Sequence, residues 1–164
     1  MISRKMAKEI NAQINREFFS AFLYLAMAND AIDKGYLGTG KWMSIQFKEE
    51  QEHALKFAKY LQDQGVKVEL AAMAAPKKEW KGILDMFQDA LLHEKKVTAW
   101  INDLYSLALE EKDYATQSML KWFIDEQVEE EANCMEAITA LSLVGTSAGS
   151  AYMVDRHIGK RGQS

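Results

Sequence analysis

Two kinds of residue are nearly missing from this chain: of 164 residues one is a cysteine, Cys134, and one a proline, Pro76, and there are nine glycines. A lone cysteine excludes an intrachain disulfide, and so few helix breakers favour long helices. No apolar run approaches the roughly twenty residues that span a bilayer, and residues 1–19 lack the uninterrupted apolar stretch of a secretory leader. Neither terminus carries a long basic run and the formal net charge is −4, which argues against nucleic acid as the main partner. Internal repeats and low-complexity segments are also missing. What remains is 48% apolar, 27% charged and 10% aromatic, the composition of a globular protein with a real core. The expectation is one domain spanning 1–164, soluble and cytoplasmic, with neither membrane nor nucleic acid as partner.

Helical periodicity predicts four long segments, at about Lys5–Lys34, Lys41–Gln64, Gly82–Glu111 and Tyr114–Val144. Gly35, Gly38 and Gly40 interrupt the pattern after the first, and Gly65 is well placed to end the second. Val66 to Leu70 alternates like a short strand within a connection of about 17 residues, long enough at about 55 Å to travel the length of a helix bundle. Helix three then starts in the same direction as helix two. That is an all-α four-helix bundle, about 5–144, with one long crossover loop between helices two and three. A small-residue hinge at Gly145–Gly149 leads to a short fifth helix at about 150–158. Phe19, Phe22 and Leu23 point away from the inner stripe of helix one, so subunit contacts are expected.

Each long helix places one glutamate inside its apolar stripe. At about 100° per residue, Met43, Phe47, Ala54, Phe57 and Leu61 lie within roughly 60° of Glu50. Ile10, Ala21, Tyr24 and Ala28 flank Glu17 in the same way; Ile83, Phe87, Ala90, Val97 and Ile101 flank Glu94; Met119, Phe123, Cys134, Ala137 and Leu141 flank Glu130. His53 follows Glu50 by three residues and shares its face. A buried carboxylate must be protonated, paired or metal-bound. One such residue is an ordinary core carboxylate or an artefact of helix phase; four at compatible heights, with one imidazole, make an oxygen-rich cluster suited to two iron or manganese ions rather than zinc or copper. Cys134 reads as small core filler and the methionines as helical core, while His93, about 100° off the Glu94 direction, reads either as a surface residue or as one standing just behind the ligands.

The residues Asn15-Arg16-Glu17, Tyr24, Glu49 to His53, His93-Glu94-Lys95-Lys96 and Leu120 to Glu131 resemble those of the bacterial non-haem ferritins of the ferritin-like di-iron superfamily. The likeness covers nearly the whole chain. Gln127 and Glu130 stand where a second Glu-x-x-His would be, a departure that separates ferritins from bacterioferritins and rubrerythrins. Gln51 follows Glu50 where bacterioferritins carry a haem-binding methionine, so the resemblance implies no haem.

The same resemblance implies a first iron site at Glu17, Glu50 and His53 and a second at Glu50, Glu94 and Glu130, with Glu50 bridging. Gln127 would stand beside the second site and Tyr24 beside the cluster. A third site would lie at Glu49, Glu126 and Glu129; from geometry alone these three are as well read as a solvated acidic face. The implied activity is iron storage and detoxification: a ferroxidase oxidises iron(II) with dioxygen or hydrogen peroxide and deposits ferric mineral inside a twenty-four-subunit shell. His157 would line a channel of that shell. Two other classes fit the same residues, namely a di-iron oxidase acting on an organic substrate and a non-catalytic helical bundle. Particle size separates a shell from both.

Overall fold

The computed structural model describes residues 2–145 and 147–161. Its elements are α1 (Arg4–Asp33), α2 (Leu37–Asp63), α3 (Ile83–Glu110), α4 (Tyr114–Leu143) and α5 (Ala148–Ile158), with no strand among the described residues. Three of the five described helices start on a cap supplied by their own N-cap side chain. Ser3, Asp113 and Ser147 accept the backbone N–H of Met6, Thr116 and Ser150, each satisfying a donor that the first helical turn leaves unpaired.

The core is divided in two. One apolar cluster gathers Met27, Trp42, Met43, Met86, Phe87 and Leu141. The other gathers Ile10, Ile14, Phe57, Leu61, Ile101, Leu120 and Phe123. Helices α1 and α4 enter the second cluster with their first halves and the first cluster with their later halves, whereas α2 and α3 do the reverse. Helices α2 and α3 therefore run parallel to each other and antiparallel to α1 and α4, which is the one-crossover bundle expected from the loop length.

No strand forms at Val66–Leu70, in contrast to the alternation of that segment. Val66 and Val68 pack on the second cluster, which explains the alternation, and the backbone is held by asparagine side chains of α1. Asn11 accepts from Glu69 N at 2.7 Å and donates to Lys67 O at 3.2 Å; Asn15 accepts from Ala71 N at 2.7 Å and donates to Glu69 O at 3.0 Å. Four helical residues rise about 6 Å, close to the span of two extended residues, so a pair of asparagines spaced i, i+4 can stand in for a neighbouring strand. Further on, Trp80 N donates to the Asp30 carboxylate near the far end of α1. The crossover thus runs along α1 from Asn11 to Asp30.

Helix α2 begins four residues before the expected Lys41, with Gly38 and Gly40 inside it. These glycines serve packing. A Cβ on Gly38 would sit 1.9 Å from Asp155 O, and one on Gly40 would sit 2.5 Å from Ile32 Cγ1. Asp155 of α5 comes so close because its buried carboxylate accepts Gly38 N at 2.9 Å and Thr39 N at 2.6 Å, capping the start of α2 and docking α5 there.

Candidate metal centre

Between the two apolar clusters lies a polar layer contributed by all four long helices. Glu17, Glu50, Glu94 and Glu130 are each at most 2% exposed, and His53 and Gln127 are also buried. Ligand atoms of Glu17, Glu50 and His53 lie within 4.8 Å of one another, as do those of His53, Glu126 and Glu130. His53 Nδ1 stands 3.6 Å from Glu50 Oε2. The imidazole is braced edge-on against Trp122 and Phe123, with ring centroids at 5.4 and 5.9 Å.

Protein donors hold the carboxylates in place. Gln13 Nε2 donates to Glu17 Oε1 at 2.7 Å, while Glu17 Oε2 is buried with no fixed donor among the described residues. Gln46 Nε2 donates to Glu130 Oε2 at 2.5 Å and to Glu50 Oε1 at 3.3 Å, bridging α2 and α4. Both oxygens of Glu94 are engaged: Tyr24 Oη donates to Oε1, and Gln127 Nε2 donates to Oε2 at 3.1 Å. Gln127 also reaches Thr98 Oγ1 at 3.3 Å, which in turn donates to Glu131 Oε1 at 2.6 Å.

Burial and mutual repulsion raise the proton affinity of the whole layer. Glu17 and Glu50 are pushed well above the usual carboxylate range, first by desolvation and then by neighbouring carboxylates, Glu50 beside Glu17 and Glu94 beside Glu50. Desolvation likewise raises Glu94, against the opposing hydrogen bonds from Tyr24 and Gln127. Glu130 is raised to about 8 by desolvation and by the charges of Glu94 and Glu49. Four carboxylates forced toward the neutral form, one with an orphaned oxygen, constitute a site in which divalent cations can replace protons. The donor set of hard oxygens and one imidazole suits iron or manganese.

The structure thus brings Glu17, Glu50 and His53 together and surrounds them with Glu94, Glu130, Gln127 and Tyr24. Glu126 is half-buried and meets His53 and Glu130, Glu49 is half-buried, and Glu129 is exposed. His93 is not a surface residue: it is 8% exposed, with Nε2 2.7 Å from Ser20 Oγ, and desolvation together with the Lys96 charge lowers it to about 4. It lies beside α1 as well as on α3, so its angle from Glu94 turns it toward a second helix instead of solvent. Gln13, Gln46 and Arg161 were not expected. Gln13 and Gln46 precede Glu17 and Glu50 by four residues each, so a glutamine one turn before an inward glutamate was the available signal.

Comparison with known proteins places this architecture in company. The family described as "Ferritin: Ferritin-like domain" matches residues 7–144. The chain is 38% identical over 161 residues to a protein named bacterial non-heme ferritin from Staphylococcus aureus (strain MRSA252), covering 98% of this chain and 97% of that one. A protein of the same name from Staphylococcus haemolyticus is 38% identical over the same span. Among solved structures, an open pore ferritin from the hyperthermophilic archaeon Archaeoglobus fulgidus superposes with a TM-score of 0.95 at 38% identity, covering 98% of this chain and 99% of that one.

Proposed function

We propose, from the premise that this chain belongs to the ferritin family, that it stores and detoxifies iron by oxidising iron(II) to iron(III) at the buried carboxylate layer. One observation carries the reading: four buried glutamates and one buried imidazole meet at one level of the bundle, flanked by apolar clusters. Iron(II) is the substrate, with dioxygen or hydrogen peroxide as oxidant. Glu17, Glu50 and His53 hold one ion; Glu50, Glu94 and Glu130 hold the other, so that Glu50 is shared. Hard carboxylate donors favour iron(III) over iron(II), which makes the pair of bound ions easy to oxidise. Oxygen donors alone hold the second ion loosely, as suits a product that must leave for a mineral store. Gln127 and Tyr24 stand beside the pair, each donating to one oxygen of Glu94, and Glu49, Glu126 and Glu129 form a third site next to it.

In this reading the chain is a single ferritin-like domain, 1–164, that assembles in the cytoplasm into a hollow shell of twenty-four copies without haem. No described helix is long and apolar enough to cross a membrane. Phe22, 48% exposed on α1, supplies apolar surface for a subunit contact. The test is an anaerobic iron(II) titration followed by an oxygen pulse, with particle size measured in parallel. Two to three ions bound per subunit, rapid oxidation and a particle of several hundred kilodaltons support the proposal. Slow oxidation by a monomer or small oligomer would overturn it.

A further inference from the structure

Helix α5 delivers one residue to the edge of the carboxylate layer. Asp155 fixes α5 on the start of α2, Lys41 Nζ donates to Gly159 O at 3.1 Å, and the chain then places Arg161 against the side of α2. The Arg161 guanidinium forks: one nitrogen donates to Glu49 Oε2 at 2.8 Å and the other to Gln46 Oε1 at 2.7 Å. Its central carbon also lies 4.5 Å from the centre of the Trp42 ring, and the side chain is 23% exposed. An arginine held by a carboxylate, an amide and an aromatic face is placed, not splayed on the surface.

Two consequences follow. Arginine has no acceptor, so Gln46 must turn its carbonyl oxygen toward Arg161 and its NH2 toward Glu130 and Glu50. Secondly, Glu49 already carries a cation. A metal ion on the same carboxylate would face the guanidinium at a few ångströms, and two positive charges on one carboxylate repel.

We propose that Arg161 is a displaceable counter-ion for the third metal site: it holds Glu49 and orients Gln46 while that site is free of metal, and it swings out when a cation is taken up. The proposal rests on the reading of Glu49, Glu126 and Glu129 as a metal site. Arg161 is then a positioning residue that acts through Gln46 on Glu130 and Glu50, and it makes the third ion the last to bind and the first to leave. Trp42 reports the motion, because the guanidinium leaves its ring when Glu49 is claimed.

The experiment uses the full-length assembled protein stripped of metal, with zinc(II) as a redox-silent probe. Wild type, Arg161→Ala and Arg161→Lys are titrated against a competing chelator while tryptophan fluorescence is followed; Trp42→Phe identifies the contribution of that ring. The expected result is a third ion bound about tenfold more tightly by Arg161→Ala than by wild type. Arg161→Lys, which keeps the charge and loses the fork, falls between them. In wild type the third equivalent changes the Trp42 signal, and in Arg161→Ala that change is lost. Three ions bound with equal affinity in all variants, or a Trp42 signal indifferent to the third equivalent in wild type, would overturn the role of Arg161 alone. If no variant takes up more than two ions, the third site itself is wrong and the counter-ion falls with it.

Discussion

Around Glu17 and His53 the carboxylate layer is sparsely supported by protein donors, whereas around Glu94 it is crowded with them. Among the described residues Glu17 has one fixed donor, Gln13, and an oxygen with none; Glu94 has a donor on each oxygen. Glu130 is held by Gln46. An orphaned buried acceptor is costly, and a carboxylate with both oxygens hydrogen-bonded is comparatively content. The first half is therefore poised for a cation, while an ion entering the second half must compete with tyrosine and glutamine. The two halves meet at Glu50, so the strongest way to erase the contrast is to remove that residue. Glu50→Ala should slow rapid iron(II) oxidation by roughly a hundredfold or more, since it deprives both ions of a ligand and uncouples them. Stopped-flow oxidation at wild-type rates in that variant would sink the ligand assignment.

Raised proton affinity is common to both halves, and it sets how the metal-free protein responds to pH. Glu130 in the fold holds its proton to about 8 against an ordinary value of 4.5, and Glu17, Glu50 and Glu94 shift in the same direction. For a group whose folded pKa is raised, the contribution to stability is complete below the unfolded value and is lost as pH climbs to the folded value. Metal-free protein should accordingly melt several degrees lower at pH 8 than at pH 5, and divalent cations should restore the difference because they replace the protons. A melting temperature that stays level or rises over this window without metal would show that the layer is not protonated.

Much of this was legible in the sequence, for a reason that also marks the limit. Helix phase depends on the chain's own period, so Glu17, Glu50, Glu94 and Glu130 could be assigned inward without knowing their neighbours. The period alone left His93 between the surface and a place behind the ligands, and its burial against Ser20 of α1 excludes the surface. The same reasoning started α2 late because Gly38 and Gly40 look like breakers until α5 and Ile32 are seen pressing on them. Arg161 was invisible for a similar reason: it lies 115 positions from Gln46, and only the docking of α5 through Asp155 brings them together. Residues that define a helix's own face could be read; those that meet across helices could not.

The acidic fringe can be separated from both halves. Glu126 borders His53 and Glu130 and Glu49 is held by Arg161, but both are only half-buried and Glu129 is exposed, so the three form the edge of the buried layer. The triple variant Glu49→Ala, Glu126→Ala, Glu129→Ala should oxidise its first two irons at a rate within about threefold of wild type, but with altered iron-to-oxygen stoichiometry and slower later turnover. Oxygen-electrode measurements check both. Unchanged stoichiometry, with two ions bound per wild-type subunit, would reduce the fringe to a solvated acidic face.

The smallest change sharpens the comparison most directly. Tyr24 is fully buried and its hydroxyl donates to Glu94 Oε1, while Gln127 covers Oε2. Tyr24→Phe removes one oxygen atom and keeps the ring that packs in the first apolar cluster, tilted against Trp42 at 6.4 Å. A hydrogen bond to a charged group is worth about 1.5–3 kcal/mol net, but a carboxylate has spare lone pairs and the metal need not displace the tyrosine completely. The ion in the second half should therefore bind a few-fold more tightly in Tyr24→Phe, with the ion in the first half unmoved, and the gap between their affinities should narrow. Stepwise zinc(II) affinities measured by chelator competition decide the matter. If the second ion is instead bound more weakly, Tyr24 is steering Glu94 toward the metal, and the crowding around Glu94 is preorganisation of the second half in place of competition with it.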